Sequence, residues 1–349
     1  MRRAALPLLL LLACNAHAVQ DCDIGGVGVN PANGATTEGK TGIMRCVDRD
    51  TRVVQREQEL RGGRFIGLVR FYDNGKLAKE HSVNERGNLQ GRGREFGPQG
   101  QVLFEGEYDN GDLKGISRRF HANGQLRGIT VHAPRGEPAA AASFNAQGQL
   151  TELRCGARPQ LAPAVDDARL CGFGSPSSVD LYNERGVLQF KVNLQDGLRT
   201  RVARLDEQGR VRQQEDIDPA KQSRRLQQFA DSGTLVRDQR WEAGLPVLDV
   251  QHYLNGQPRT KTEWKGSQIV ETGYGDDGRV TTTGTWVSAR GGRQPTGTHQ
   301  RFNAAGRLVG ESTYDERGRI TREKAWDDGG TLLRDDAVFE DGSRKAFSR

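Results

Sequence analysis

Apolar residues are scarce in this chain. Hydrophobic side chains supply 34% of its 349 residues, aromatic ones 6%, and there are two methionines. Such a supply does not build one large spherical core; it suits a thin structure with much exposed surface. The apolar run near the start is too short to span a membrane as a stable helix, and no second long apolar run follows it. There is also no block of five or six like charges. The net charge of +6, part of which sits at Arg2 and Arg3, is spread among interleaved Lys, Arg, Asp and Glu. That is a solvated mixed surface and lacks the concentrated basic stripe of a nucleic-acid binder. No H-E-x-x-H, C-x-x-C or G-x-S-x-G occurs, so the familiar zinc, four-cysteine and hydrolase signatures are missing. His81, His121, His132, His252 and His299 have no partners at metal-ligand spacing. Paired acids such as Asp276-Asp277 and Asp327-Asp328 fall in turns, where Asp satisfies backbone donors. The expectation is a chain without catalysis, metal or cofactor.

What is present begins with "MRRAALPLLLLLACNAHA". Arg2 and Arg3, the apolar run Ala4 to Ala13 and the small-x-small site Ala16-His17-Ala18 read as a secretory signal peptide over 1–18. "LLAC" at Leu11–Cys14 offers a second reading, a lipoprotein anchored through Cys14, although Leu12 suits that box poorly. The mature chain is expected in the periplasm or outside the cell, with membrane contact only through such a lipid. Its remaining cysteines, Cys22, Cys46, Cys155 and Cys171, are even in number, as in a disulfide framework. Four cysteines allow three connectivities; short loops favour Cys22–Cys46 and Cys155–Cys171.

Glycine is abundant, with 45 residues. "GATTEGKT", Gly34 to Thr41, fits the phosphate-loop pattern G-x-x-x-x-G-K-[ST]. A phosphate loop needs an apolar strand before it and a helix after it. Here a turn signal, "NPANG", precedes it, and "GIMRCVDRD" follows. It is read as a glycine-punctuated hairpin of a disulfide-closed cap, without nucleotide.

Elsewhere the glycines mark a repeat. "FYDNGKL" at Phe71, "FHANGQL" at Phe120, "YNERGVL" at Tyr182, "FADSGTL" at Phe229, "FNAAGRL" at Phe302 and "YDERGRI" at Tyr314 share one design. An aromatic is followed by polar residues, Gly, one polar residue and then Leu, Val or Ile. The spacing is about twelve residues, as from Phe96 to Tyr108 to Phe120. Asn-Gly, Arg-Gly and Asp-Gly supply the positive φ angles of hairpin turns, and period-two alternation, as in Leu188–Leu194, marks half-buried strands between them. Each unit is one strand and one turn. The expected fold is all-β, an elongated antiparallel meander of hairpins. One aromatic per strand suggests a stacked ladder in a narrow core: Tyr108, Phe120, Phe144, Tyr182, Phe229, Trp241, Tyr253, Phe302, Tyr314 and Trp326. Val19 to Leu60 lies outside the pattern, as does the Pro- and Ala-rich stretch Arg154 to Ser178. The organisation is therefore signal peptide 1–18, disulfide-closed cap 19–60, first repeat block 61–153, Cys-containing loop or linker 154–178, and second repeat block 179–349.

Through "FYDNGKL", "EGEYDNGDLKG", "RFHANGQL" and "RFNAAGRLVGESTYDERGRI", the chain resembles the bacterial MORN-repeat-variant proteins, the YwqK-type family often labelled antitoxins. The resemblance covers about 62–342 with an interruption. It implies the hairpin-repeat fold and an immunity or antitoxin role, in which an exported scaffold neutralises a toxin or secreted effector by occlusion. Arg118 and Arg119, flanking Phe120, and Arg201 and Arg204 are the candidate partner-binding residues, since Arg beside aromatics is the composition of binding hot spots. The alternative is an envelope module that binds cell-wall polysaccharide or another envelope protein.

Overall fold

The structure is a computed structural model and describes residues 20–289 and 292–347. The signal-peptide stretch and Cys14 lie outside those residues. The chain divides into two units, 1–148 and 149–349, so the division falls ahead of the Cys155–Cys171 loop. In the first unit β1 (Gln20–Ile24), β2 (Val27–Val29), β3 (Gly42–Asp48), β4 (Val54–Arg61), β5 (Arg64–Asp73), β6 (Lys76–Val83), β7 (Leu89–Phe96), β8 (Val102–Asp109), β9 (Asp112–Phe120), β10 (Leu126–His132) and β11 (Pro138–Phe144) form one antiparallel sheet. Its order follows the chain except at the start, where β1 sits between β3 and β2.

The second unit opens with β12 (Leu150–Arg154) and the one-turn helix α1 (Asp167–Leu170). Its sheet then runs in strict chain order through β13 (Ser177–Tyr182), β14 (Leu188–Gln195), β15 (Leu198–Leu205), β16 (Val211–Asp218), β17 (Ser223–Phe229), β18 (Leu235–Glu242), β19 (Leu245–His252) and β20 (Pro258–Lys265). It continues through β21 (Gln268–Tyr274), β22 (Val280–Ala289), β23 (Gly292–Phe302), β24 (Leu308–Tyr314), β25 (Ile320–Trp326), β26 (Leu332–Val338) and β27 (Arg344–Ala346). The expected antiparallel meander is what the chain forms: two open sheets of hairpins.

The repeat unit has a direct structural meaning. Its aromatic and its aliphatic residue are cross-strand partners on either side of one turn: Phe120 with Leu126, Tyr182 with Leu188, Phe229 with Leu235, Phe302 with Leu308, Tyr314 with Ile320 and Trp326 with Leu332. Between them the turn is built from its own side chain. Asn303 Oδ1 accepts from the amides of Ala305 and Arg307 at 3.0 and 2.9 Å, and Gly306 stands at φ +76°. Asp315 repeats the pattern with Arg317 and Arg319. This is a type I turn closed by a left-handed residue, and glycine takes that position without steric cost. Other hairpins use two-residue turns with both φ angles positive, Asn74-Gly75, Asn110-Gly111, Asp196-Gly197 and Ala243-Gly244, the type I′ geometry that suits strand twist.

The ladder aromatics do not fill a closed core. All ten are half-buried. The fully buried large side chains include Met44, Leu60, Ile129, Leu161 and Val69 instead. Several rings close their own turn against the paired aliphatic residue, while Tyr314 also lies against His299, which lies against Trp286, at ring-centroid distances of 4.5 Å. Along β16–β27 few described side chains are sealed from solvent, namely Asp238, Thr262, Ile269 and Asp336.

Beside the backbone ladder, opposite charges meet across the strands. In the first unit one cross-strand row reads Asp23, Arg45, Glu57, Arg70, Glu80, Arg94, Glu105, Arg118 from β1 and β3 through β9. The sign alternates at every step. Arg70 lies 3.7 Å from Glu57 and 3.5 Å from Glu80, Arg94 binds Glu80 through two nitrogens, and Arg118 reaches Glu105 at 3.3 Å. The carboxylates are the more covered members: Glu80 is 11% exposed and its partner Arg94 34%. Arginine stems thus lie over the sheet and shield the acids beneath. Opposite charges directly across strands each add about 0.2–1 kcal/mol. In the second unit diagonal forked pairs replace the row. Arg225–Asp238, Arg237–Asp249 and Arg322–Asp335 each make two N–H···O bonds of 2.6–3.0 Å.

Both disulfides close as short loops favour, Cys22–Cys46 and Cys155–Cys171. The first joins directly opposed residues of β1 and β3 inside a cluster with Met44 and Leu60. The second holds the loop before β13. There the buried Asp167 accepts from the amides of Gln160 and Leu161 at 2.7 and 3.0 Å, and the Asp196-Gly197 turn bonds the carbonyls of Gly172 and Cys171.

Two outcomes test these devices. Glu80→Ala takes the hydrogen-bonded partner from Arg94 and one of two carboxylates from Arg70 and should cost about 2 kcal/mol in urea unfolding, and a double-mutant cycle with Arg94→Ala should recover a coupling of about 1 kcal/mol. Ala243 stands at φ 47° without the side chain that tolerates it, so Ala243→Asn should raise stability by about 0.5 kcal/mol, read as a higher Tm.

Candidate functional site

In the second unit a groove of about 560 Å³ lies between the β16–β17 turn and the end of β18. Asp216, Ile217, Asp218, Lys221 and Ser223 line one side, Arg240, Trp241 and Glu242 the other, with Arg224 and Arg225 between them. Register explains the gathering. Arg224 is the cross-strand partner of Trp241, and Arg225 of Arg240. The Arg224 guanidinium lies 3.9 Å from the Trp241 ring centroid, a close cation–π contact. Its Nη1 also donates to Glu215 at 3.3 Å.

Beside it, Asp238 holds Arg225 through both oxygens and Arg240 at 3.1 Å. Burial by itself would raise the Asp238 carboxyl, but the hydrogen bonds from Arg225 and Arg240 outweigh it and hold the acid below its ordinary range. The same bond to Asp238 raises the Arg225 guanidinium. Alternation along β17 and β18 puts Arg224 and Trp241 on one face of the sheet and Arg225, Asp238 and Arg240 on the other. The groove therefore offers an aromatic ring with one cation over it, and the ion pairs lie behind.

The candidate arginines are not brought together. Arg118 is bound to Glu105 in the charge row. Arg119 points to the opposite face, 4.8 Å from the Phe104 ring centroid. Arg201 is tied to Asp216, at the rim of the groove, and Arg204 stands exposed across from Phe190 and Gln213. The residues that do line the groove were legible only in part. Trp241 reads as a ladder position, and Arg224-Arg225 as a solvated pair. The signal was the distance from that pair to Trp241, which the β17–β18 hairpin turns into a face-to-face contact.

The "GATTEGKT" segment links β2 to β3. Its one ordered element is the three-residue 3-10 turn Gly34–Thr36. The amides of Thr37 and Glu38 both bond the Gly34 carbonyl, and Lys40 bonds Thr37. Thr41 Oγ1 accepts from Gly62, and the Lys40 carbonyl accepts from Gly63 at 2.7 Å. A side chain on Gly63 would meet the Thr37 carbonyl at 2.9 Å. The segment is thus seated on the β4–β5 turn and runs directly into a strand, with no helix after it.

Among the described residues, no group of three or more His, Cys, Asp and Glu gathers to hold a metal, and no helix is long and apolar enough to cross a membrane. The two disulfides fit an oxidising, extracellular or periplasmic compartment.

No protein-family model matches the chain, and no curated protein matches it. Among solved structures it is similar to S. aureus TarM, with 23% identity over 26% of this chain and 18% of that one, at TM-score 0.20. It is similar to the Photorhabdus luminescens Tc holotoxin pore, with 12% identity over 86% of this chain and 18% of that one, at TM-score 0.17. A porin-like protein from Bacteroides uniformis shares 10% identity over 72% of this chain and 92% of that one, at TM-score 0.15. The chain thus spans 18% of the length of the first two. Likenesses at such TM-scores carry no argument about function.

The lowered Asp238 carboxyl has a sign that can be checked. A depressed folded value stabilises the fold at pH above the unfolded value of about 4, and that contribution is lost as pH falls through the folded value. Acid unfolding of the mature chain, followed by circular dichroism, should begin below about pH 4, and Asp238→Asn should be less stable at neutral pH and show a flatter profile in that window.

Proposed function

We propose that this chain is an exported, non-catalytic repeat scaffold that binds a partner protein. In this reading it is of the immunity or antitoxin type and neutralises a toxin or secreted effector by covering its working surface. The observation that carries the reading is the Arg224–Trp241 stack in a chain whose other charges mostly neutralise one another. An aromatic paired with an arginine in a groove is the composition of a binding hot spot. The disulfides support an exported setting, and the repeat sheet supports a rigid surface that loses little entropy on binding.

The polysaccharide reading is the alternative at this groove, and it would use the same half-buried indole. The test is capture. The mature chain should co-purify with the product of an adjacent gene or with a secreted effector, and should protect cells against it. Replacing both Arg224 and Trp241 by Ala should weaken that capture about 30-fold or more with the Tm little changed. Retention on isolated cell wall instead, with no effector captured, would replace the proposal by the envelope reading.

A further inference from the structure

Cross-strand register places three of the four tryptophans in one line. Trp241 pairs with Pro246, Trp264 with Ile269, and Ile269 in turn with Trp286, which pairs with Pro295. Trp264 follows Glu263, whose partner Leu248 pairs with Arg240, the neighbour of Trp241. Alternation then sets Trp241, Trp264 and Trp286 on one face of the sheet. The side-chain contacts agree. On that face Arg224 lies over Trp241, Arg293 over Trp264 at 5.6 Å, and His299 sits 4.5 Å from Trp286. The result is an uncharged stripe across β18–β23 with indoles on β18, β20 and β22. It is bordered by Arg224 and Arg293.

We infer that this stripe is a docking rail for a polyproline-II segment of the partner protein. The inference rests on the partner-binding reading above and names the element recognised. The first argument is period. Strands lie about 4.8 Å apart, so rings on every second strand recur at about 9.6 Å. A polyproline-II helix has three residues per turn at 3.1 Å each, a repeat of about 9.3 Å. An extended strand repeats at about 6.7 Å and an α-helix at about 5.4 Å, and both fall out of step by the second ring.

The second argument is hydrogen bonding. The three indole N–H groups have no protein acceptor among the described residues and are not sealed from solvent. A polyproline-II backbone carries carbonyls with no internal donor, so each indole can stack on a proline ring and donate to a neighbouring carbonyl, the mode by which aromatic-lined grooves hold such segments. The third is charge. The rail itself is neutral, while Arg224 and Arg293, besides lying over the rings, make surface pairs with Glu215 and Glu271 at 3.3 and 3.1 Å. Such pairs exchange at little cost. A proline-rich core flanked by carboxylates matches this pattern.

The test uses the full mature chain and a synthetic oligoproline of about twelve residues, four turns, with acidic ends. Titration by tryptophan fluorescence and calorimetry should show saturable binding. Trp264→Ala should weaken it about tenfold, and Trp264→Phe should retain most of it. Should Trp264→Ala lower the Tm, Trp286→Leu supplies the same comparison elsewhere on the rail. The inference fails if no saturable binding is seen at millimolar peptide, or if a Gly–Ser peptide with the same ends binds equally well. It fails too if soluble glycan strands bind in place of the peptide, or if neither Trp264 nor Trp286 matters. A captured partner sensitive to Arg224 and Trp241 but indifferent to Trp264 would leave the partner reading standing and remove the rail. Oligoproline binding without any captured effector would do the reverse.

Discussion

Lateral pairing of neighbouring strands, backbone to backbone and with opposite charges matched across many pairs, is the interaction on which this fold depends. A chain with so few apolar residues cannot seal a sheet by packing a second apolar layer over it. It covers each strand with its neighbours' side chains instead. In the first unit Glu57, Arg70, Glu80, Arg94, Glu105 and Arg118 stand on successive strands in direct register, and long arginine stems shelter the acids. Each contact is weak by itself, but every strand brings one. A slip of a strand by one residue would move its charge to the other face, so the row also fixes register where apolar patterning is too thin to do so.

The same arrangement shapes the surface. Charges spent on their neighbours leave the faces close to neutral, and departures from that neutrality become conspicuous. The Trp241 groove and the tryptophan line are such departures. Both arise at cross-strand pairs, where one hairpin sets an arginine or a proline opposite an indole. The disulfide-closed ends play a different part. Met44, Cys46 and Leu60 near the start of the first sheet, and Leu161 and Cys171 before the second, gather the scarce fully buried side chains beside the first strands, as capping elements of repeat arrays do.

Much of the fold was legible because its signals are local. Gly306 with Asn303, and Gly318 with Asp315, mark turns whose conformation is decided within five residues. The fixed distance from each ring to its Leu or Ile, as from Phe302 to Leu308, is the length of one hairpin closure. The role of the rings was not legible. A recurrent aromatic looks the same in sequence whether it stacks in a core or clasps a turn, and the choice depends on whether the sheet face is covered. The candidate site shows the same limit. Arg118 and Arg201 look like free cations in sequence, yet Glu105 and Asp216 stand across from them, thirteen and fifteen residues away.

The sequence by itself determined the turns, the strand spacing, the all-β meander and the short-range pairing of cysteines, because each is set by φ preferences or by the entropy of closing a short loop. Only the tertiary structure decided which charges meet, that the phosphate-loop pattern of Gly34–Thr41 is seated on the Gly62-Gly63 turn, and that Trp241, Trp264 and Trp286 share one face. Those facts depend on register summed over successive hairpins, where a single bulge, such as that at Arg240/Trp241, shifts every later partner.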